Sequence, residues 1–110
     1  MNYKSELLKG NTDSLLLCLV SRQPMYGYQI IKELGEKSHG YFHFKEGTLY
    51  PALHRLENKG LIKGEWQKLP WGKERRYYSI SGKGKEALNE RLTIWQDFSE
   101  AVKSVMPSSI

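Results

Sequence analysis

The 110 residues of this chain allow one domain whose core leaves little room for a buried catalytic cleft, so its size favours a binding module. Hydrophobic residues make up 39% of the chain and no apolar run is long enough to cross a bilayer, so we expect no membrane span. The polar N-terminus predicts no secretion signal, and Cys18 as the only cysteine suits a reducing cytoplasm. The net charge of +5 is uneven, because residues 45–85 carry +6 and the remainder carries −1, which suits either a polyanionic partner or a solvated basic surface.

Three amphipathic helices are predicted in the first half of the chain. Apolar residues recur every three or four positions over residues 5–21, and again over residues 26–38, after which Gly40 supplies a left-handed stop. A third helix spans residues 45–59, with three leucines on its buried side. Because Pro51 lacks an amide hydrogen, either the first turn of this helix is bent or regular helix begins close to the proline.

The second half predicts a hairpin followed by a long helix. Residues 61–67 and 75–80 are rich in β-branched and aromatic side chains and are joined by a basic turn. Ser81 is a suitable N-cap for a helix that runs to about residue 106. The order helix, helix, helix, hairpin, helix is that of a winged helix-turn-helix. We therefore predict a mainly α fold with a small β-hairpin, in which residues 5–80 form a DNA-binding domain and residues 81–106 a C-terminal dimerisation helix.

The outward side of the third helix is the predicted DNA-reading surface. With the leucines turned to the core, a period of 3.6 residues leaves the following residues outside: Gly47, Tyr50, Pro51 and His54, flanked by Thr48 and Arg55. Hydroxyl and guanidinium groups can bond phosphates or base edges. No exposed side chain at the start of this helix is suited to bidentate base contact, so shape readout is also expected. The alternatives are that Tyr50 and Pro51 pack against the hairpin and that His54 is merely solvated.

The hairpin interleaves cations with aromatic side chains, as expected of a wing that lies along a phosphate backbone. From it we assign Lys73, Arg75, Arg76 and Tyr77 to the predicted DNA-binding residues. Because neighbouring strand residues point to opposite faces, one arginine is expected to face DNA and the other to brace the wing. The alternative is that these charges only keep a polar hairpin solvated.

The last helix carries an apolar seam with a period of 3.5 residues. Its positions are Leu88, Leu92, Trp95, Ser99, Val102 and Met106, and Phe98 and Val105 widen it. A domain of this size does not need so long a helix to close its core, so much of the seam should meet another chain. We predict a homodimer whose interface contains Leu88, Leu92, Trp95, Phe98 and Val102. Two-fold symmetry would place two reading helices roughly 34 Å apart on a palindromic operator.

Two features could support other chemistry, and each fails on its sequence context. Residues 82–87 match the G-x-G-x-x-A dinucleotide fingerprint, but no second strand with a ribose-binding acid follows. His39, His43 and Cys18 do not have an established zinc-binding spacing. The sequence holds no H-E-x-x-H, G-x-S-x-G or Walker A motif. We therefore predict no enzyme, no metal site and no cofactor.

Five motifs together resemble the PadR family of transcriptional regulators. They are Tyr26-Gly27-Tyr28-Gln29-Ile30, Gly47-Thr48-Leu49-Tyr50-Pro51-Ala52-Leu53 with Arg55-Leu56-Glu57, Gly60-Leu61-Ile62, Arg75-Arg76-Tyr77-Tyr78-Ser79-Ile80, and Gly84. The resemblance extends from Lys9 to Trp95, and the single C-terminal helix resembles the smaller subfamily. It implies a dimeric winged-helix repressor of detoxification, phenolic-acid-response or efflux genes that leaves DNA when a small aromatic ligand or another signal arrives. Tyr26 joins the predicted DNA-binding residues on this basis.

The resemblance also implies a site for an effector. In multidrug-sensing members a tryptophan of the last helix lines a pore at the dimer interface, and Trp95 occupies the matching position. By the same analogy its neighbours would be Ser14, Cys18, Leu88, Leu92 and Ser99. The alternatives are that Trp95 is only a packing residue and, for the whole protein, that the winged helix is an adaptor that binds protein without specific DNA binding.

Overall fold

The computed structural model describes residues 2–108 as four helices and a three-stranded antiparallel sheet. In chain order the elements are α1 (Tyr3–Arg22), β1 (Met25–Tyr26), α2 (Gly27–Lys37), α3 (Glu46–Asn58), β2 (Ile62–Lys68), β3 (Glu74–Ile80) and α4 (Gly82–Val105). The strand order is β1-β3-β2, so β3 lies in the centre of the sheet. The predicted fold class, a mainly α winged helix with a long last helix, is confirmed.

Side-chain caps explain where the first and last helices begin. The Asn2 side-chain oxygen accepts a hydrogen bond from the Ser5 amide at 2.7 Å, and the Ser81 hydroxyl accepts one from the Gly84 amide at 2.9 Å. Each bond satisfies an amide that has no partner within its own helix. Ser81 is thus the N-cap that the sequence predicted, whereas α1 begins at Tyr3, slightly earlier than expected.

Pro51 lies inside α3, which begins at Glu46. The alternative in which regular helix begins close to the proline is therefore wrong. A helical proline leaves the carbonyl four residues earlier without a donor and crowds that carbonyl with its ring. Here the earlier residue is Gly47, which is exposed, so solvent can bond its carbonyl.

The short strand β1 is an element that the sequence did not predict. Met25 pairs with Tyr78 of β3, and Tyr26 pairs with Tyr77. The prediction that placed Tyr26 in the second helix is wrong, because that helix begins at Gly27. Two residues are too few to show the alternation that identifies a strand, and their partners lie far along the chain.

The hydrophobic core lies between the first three helices and one face of the sheet. Its largest fully buried side chains are Leu16, Leu17, Val20, Met25, Ile30, Leu49, Leu53 and Leu56. Ile62 and Tyr78 bring the sheet into the same cluster. Burial of the leucines of α3 determines which side of that helix remains outside.

The helix α4 packs on this core through its first turns. Leu88 is only 7% exposed and belongs to the core. A β-carbon at Gly84 would overlap the carbonyl oxygen of Leu61 and come within 2.7 Å of Cγ1 of Ile80, so the glycine of the dinucleotide-like pattern serves close helix packing here. Most side chains after Leu88 are exposed, and the molecule measures 57 Å along its longest axis. None of the helices within residues 2–108 combines the length and hydrophobicity that crossing a membrane requires.

Candidate nucleic-acid interface

The outward side of α3 brings the residues predicted from the helical period onto one surface. Its exposed residues are Gly47, Thr48, Tyr50, Pro51, His54 and Arg55. Leu49, Leu53 and Leu56 face the core, as the sequence predicted. Tyr50 is 44% exposed, which is too open for a side chain walled in by its own hairpin. The surface therefore offers hydroxyl, imidazole and guanidinium groups to an external partner.

The direction of the Tyr50 ring is set by its contact with the start of α2. A β-carbon at Gly27 would overlap the Tyr50 hydroxyl and lie within 2.7 Å of its Cζ. Gly27 is buried beneath the ring, so only a residue without a side chain fits there. The contact holds one edge of Tyr50 against α2 and leaves the remainder of the ring at the surface.

Arg55, at the edge of the same surface, joins α3 to α1. Its Nη2 donates to Oδ1 of Asp13 at 3.1 Å, and the Arg55 side chain remains 53% exposed. An ion pair this open to solvent contributes little to stability, in general about 1 kcal/mol or less. The pair orients the guanidinium while leaving other N–H groups available to a phosphate.

The hairpin β2–β3 forms a wing with a well-defined tip. The Leu69 amide donates to the Lys73 carbonyl at 2.6 Å, and Gly72 has a φ of 92°, a left-handed conformation that glycine adopts without strain. Lys68 and Lys73 are exposed on either side of the turn. The turn therefore presents two positively charged side chains at the end of the wing.

Arg75 lies on one face of the wing, within an aromatic group. Its Cζ is 4.1 Å from the ring centroid of Tyr26, which meets Tyr77 edge to face with centroids 5.4 Å apart. A cation over an aromatic face is attracted by the ring quadrupole. Tyr26, Arg75 and Tyr77, all three predicted as DNA-binding residues, thus lie together beside β1.

Arg76 lies on the opposite face and reaches α3. Its Nη2 donates to Oε2 of Glu57 at 2.7 Å, and its Cζ lies 5.6 Å from the Trp66 ring centroid. The hydrogen bond to Glu57 raises the pKa of the Arg76 guanidinium above its ordinary value. The two arginines therefore face opposite ways, as strand alternation predicted, and Arg76 is the one that joins the wing to α3.

A cleft of about 420 Å³ lies between α3 and the wing. It is lined by Tyr50, His54, Glu57, Asn58, Arg76 and Tyr78. A second depression of similar volume continues from it towards Tyr26 and Trp66 and shares Tyr50, Arg76 and Tyr78 with the first. Burial raises the pKa of the Tyr78 hydroxyl, with the nearby Glu57 charge as a second cause. Sequence reasoning did not assign Glu57, Asn58, Trp66 or Tyr78 to this site, although the register of the β2–β3 hairpin pairs Trp66 with Arg76.

The predicted dimer residues of α4 differ in how much surface they expose. Leu88 is buried in its own protomer and offers little surface to another chain, and Val102 is half-buried. Trp95 is 49% exposed and Phe98 is 56% exposed, with ring centroids 6.0 Å apart. Leu92 is also exposed. The large apolar surface of α4 therefore begins after Leu88.

The residues assigned to an effector site lie on α1 and α4, two helices that pack against each other. Nη1 of Arg91 donates a hydrogen bond to the Ser14 hydroxyl at 3.2 Å. Cys18 is half-buried, and burial raises the pKa of its thiol, which keeps the sulfur protonated at neutral pH. Ser99 is half-buried further along α4 than Trp95.

Comparison with known proteins places this chain among transcriptional regulators. The family model described as the transcriptional regulator PadR-like family matches residues 16–90. A transcriptional regulator of Mycobacterium tuberculosis is 42% identical over 66 residues, which are 60% of this chain and 58% of that protein.

Solved structures agree with the family match. The PadR-like transcriptional regulator of Bacillus cereus is 30% identical, with a TM-score of 0.83 over 94% of this chain and 99% of that one. Bacillus subtilis PadR, solved in complex with operator DNA, is 23% identical and shares the fold, with a TM-score of 0.67 over 74% of this chain and 46% of that one. From the match over residues 16–90, this chain belongs to the PadR-like family of transcriptional regulators.

Proposed function

We propose that the chain is a homodimeric repressor that binds a palindromic DNA operator and leaves it when a small aromatic ligand or another signal acts at the last helix. In this proposal α3 enters the major groove and the wing lies along the phosphate backbone. Such a regulator would act in the cytoplasm, where the chromosome is accessible.

The observation that carries the proposal is the position of the α3 surface beside a cationic wing. Tyr50 and His54 of α3 share one cleft with Arg76 of β3, and Lys73 extends the positive charge to the wing tip. Residues 45–85, which contain both elements, carry a net charge of +6. Phosphate contacts by such a surface release counterions, so we expect binding to weaken steeply as the salt concentration rises.

Dimerisation is supported by the exposed apolar side chains of α4. The exposed apolar side chains are those of Leu92, Trp95, Phe98 and Val105 on this helix and of Met106 at its C-cap. Contiguous apolar surface of this kind is typical of an interface between chains. A dimer built on α4 would hold two copies of α3 at a fixed separation, which a palindromic operator requires.

The Bacillus subtilis relative supports DNA as the partner. That protein was solved in complex with operator DNA, and its fold matches most of this chain. A shared fold alone does not determine a partner. The proposal for this chain therefore depends on its own α3 surface and wing, and the relative adds a precedent for how a protein of this fold meets DNA.

Footprinting on DNA upstream of the gene for this protein tests the proposal. A repressor should protect a defined palindrome at roughly nanomolar concentration and should bind unrelated DNA at least about a thousandfold less tightly. An adaptor that recognises protein would bind both DNAs with the same weak affinity. Equal affinity for both would contradict the proposal.

The wing tip provides a test of the phosphate contacts. Replacing Lys73 by Ala should weaken binding to operator and unrelated DNA alike and lower the slope of log K against log salt by about one, because one phosphate contact is lost. Fluorescence anisotropy over a salt series measures both quantities. Lys103→Ala on α4 removes the same charge away from the wing and should leave the slope unchanged. An unchanged slope in Lys73→Ala would remove the wing tip from the interface.

The proposed effector site is tested by the fluorescence of Trp95. With Trp66 and Trp71 replaced by Phe, Trp95 is the only tryptophan, and a planar aromatic dye such as acridine should quench it in a saturable manner because the rings stack. Quenching that rises without saturation, as for free tryptophan, would contradict a site at Trp95.

A further inference from the structure

An ion pair joins α3 and the wing, the two elements of the candidate DNA interface. Glu57 lies on α3 and Arg76 on β3, and their side-chain atoms meet at 2.7 Å. Both side chains are only partly exposed, 25% for Glu57 and 30% for Arg76. Partial burial makes a charge-assisted hydrogen bond stronger than one at the open surface, because the local dielectric constant is lower.

The Arg76 guanidinium occupies a space that the opposite strand leaves for it. A β-carbon at Gly64 of β2 would lie 2.6 Å from both Nε and Nη2 of Arg76. The Trp66 ring stands on the same face of β2, and Tyr78 follows on β3 with its ring centroid 5.9 Å from Cζ of Arg76. The glycine, the two rings and the carboxylate therefore all lie around the guanidinium.

The location of Glu57 is unfavourable for DNA binding on charge alone. Its carboxylate lines the cleft that also contains Tyr50 and His54, within the most basic part of the chain. A negative charge beside a phosphate backbone costs affinity. A benefit other than direct contact is therefore needed to account for an acid at this point.

We propose that the Glu57–Arg76 pair is a strap that sets the angle between the recognition helix α3 and the wing, so that both act as positioning residues for operator recognition. The inference rests on the proposed DNA-binding function. Recognition of a defined site requires the helix and the wing to reach their grooves at a fixed separation, whereas unrelated DNA can be bound through phosphates by a wing at several angles.

Replacing Glu57 by Gln distinguishes the strap from a purely electrostatic effect of the Glu57 charge on DNA binding. The change removes a negative charge from a DNA-facing surface, and without a strap it should strengthen binding to every DNA. The strap predicts the opposite for the operator, a loss of about tenfold, a common size for coupled neighbours, with binding to unrelated DNA unchanged or tighter. Anisotropy with the footprinted operator and an unrelated duplex of equal length measures both affinities.

Two further variants keep the net charge constant. Gly64→Ala places a methyl group against the Arg76 guanidinium and should reproduce the operator loss of Glu57→Gln. The charge reversal of Glu57→Arg with Arg76→Glu restores an ion pair and should recover at least half of that loss on a logarithmic scale. Glu65→Gln is the matched control, because Glu65 is exposed on the other face of β2; it should not weaken operator binding.

The outcomes distinguish the strap from the function on which it rests. Failure of the unchanged protein to prefer any operator would contradict the proposed function. If the unchanged protein binds its operator but Glu57→Gln binds it equally or more tightly, only the strap is overturned. An operator loss that charge reversal does not recover would also overturn the strap, provided that circular dichroism shows the variant to be folded.

Discussion

Replacing Phe98 by Glu is expected to separate the proposed dimer into monomers and to lower operator affinity by about a hundredfold or more. Phe98 is 56% exposed in the single chain and lies next to Trp95 on the apolar side of α4. A carboxylate at this position would be buried without a partner in a helix–helix interface, which is strongly unfavourable. Each monomer would then bind one half-site alone and lose the effective concentration that the dimer provides.

Sedimentation equilibrium and anisotropy with the operator measure the two parts of this prediction. Ser104→Glu is a matched control, since it adds the same charge to an exposed polar position of α4 away from the seam. It should leave both the mass and the affinity unchanged. A Phe98→Glu protein that sediments as a dimer, or an unchanged protein that sediments as a monomer, would show that α4 is not the interface.

The second large effect is expected at Gly84, where Ala should lower the free energy of unfolding by about 3 kcal/mol. The added methyl group would overlap the Leu61 carbonyl oxygen and crowd Ile80, so the start of α4 would have to move away from the sheet. Neither the Leu61 carbonyl oxygen nor Cγ1 of Ile80 is the free end of a flexible side chain, so neither atom can easily move aside. A loss of this size corresponds to a fall of about 10 °C in Tm for a domain of this length.

Gly82 provides the control within the same helix. It is the first residue of α4 and has open space where a β-carbon would stand, so Gly82→Ala should leave the Tm unchanged or raise it. Thermal unfolding followed by circular dichroism compares the two variants. Equal behaviour of both would mean that α4 does not pack closely on Leu61. The close packing of Gly84 on Leu61 gives this glycine of the G-x-G-x-x-A pattern a structural role, whereas Gly82 has open space around it.

The order of elements could be predicted from the sequence because each long element has a strong local signal. The leucine spacing in α3 and the N-cap at Ser81 are read within a few residues of chain. The strand β1 has no such signal, because Met25 and Tyr26 form it only by pairing with β3. Its absence from the prediction explains why Tyr26 was assigned to a helix.

The candidate site also contains residues that a local pattern predicts and contacts that it does not. The outward residues of α3 follow from a helical period once its buried side is known, and all of them are exposed as expected. The contacts that hold the site join residues distant in sequence: Arg55 with Asp13, Arg76 with Glu57 and Tyr50 with Gly27. Nothing in the local pattern of one chain states which distant residues will meet, so these contacts could only be found in the structure.

The sequence also does not show which part of the apolar seam of α4 belongs to the core of its own protomer. Its period of 3.5 residues is continuous from Leu88 to Met106, and the sequence contains no mark where the protomer's own core ends. The structure places that boundary after Leu88, which is buried, and before Leu92, which is exposed. Only the packing of α4 against the other elements separates core residues from surface residues in a uniform apolar stripe.

Cleavage of DNA from a reagent attached to α3 tests the central claim, that the outward side of this helix lies on DNA. The protein would carry His54→Cys in a Cys18→Ser background, with an iron chelate on the new thiol, and Glu100→Cys on α4 as the control. We predict cleavage within both halves of the footprinted palindrome from position 54 and none from position 100. Cleavage from position 100 alone, or from neither position on DNA that the protein still protects, would contradict the account.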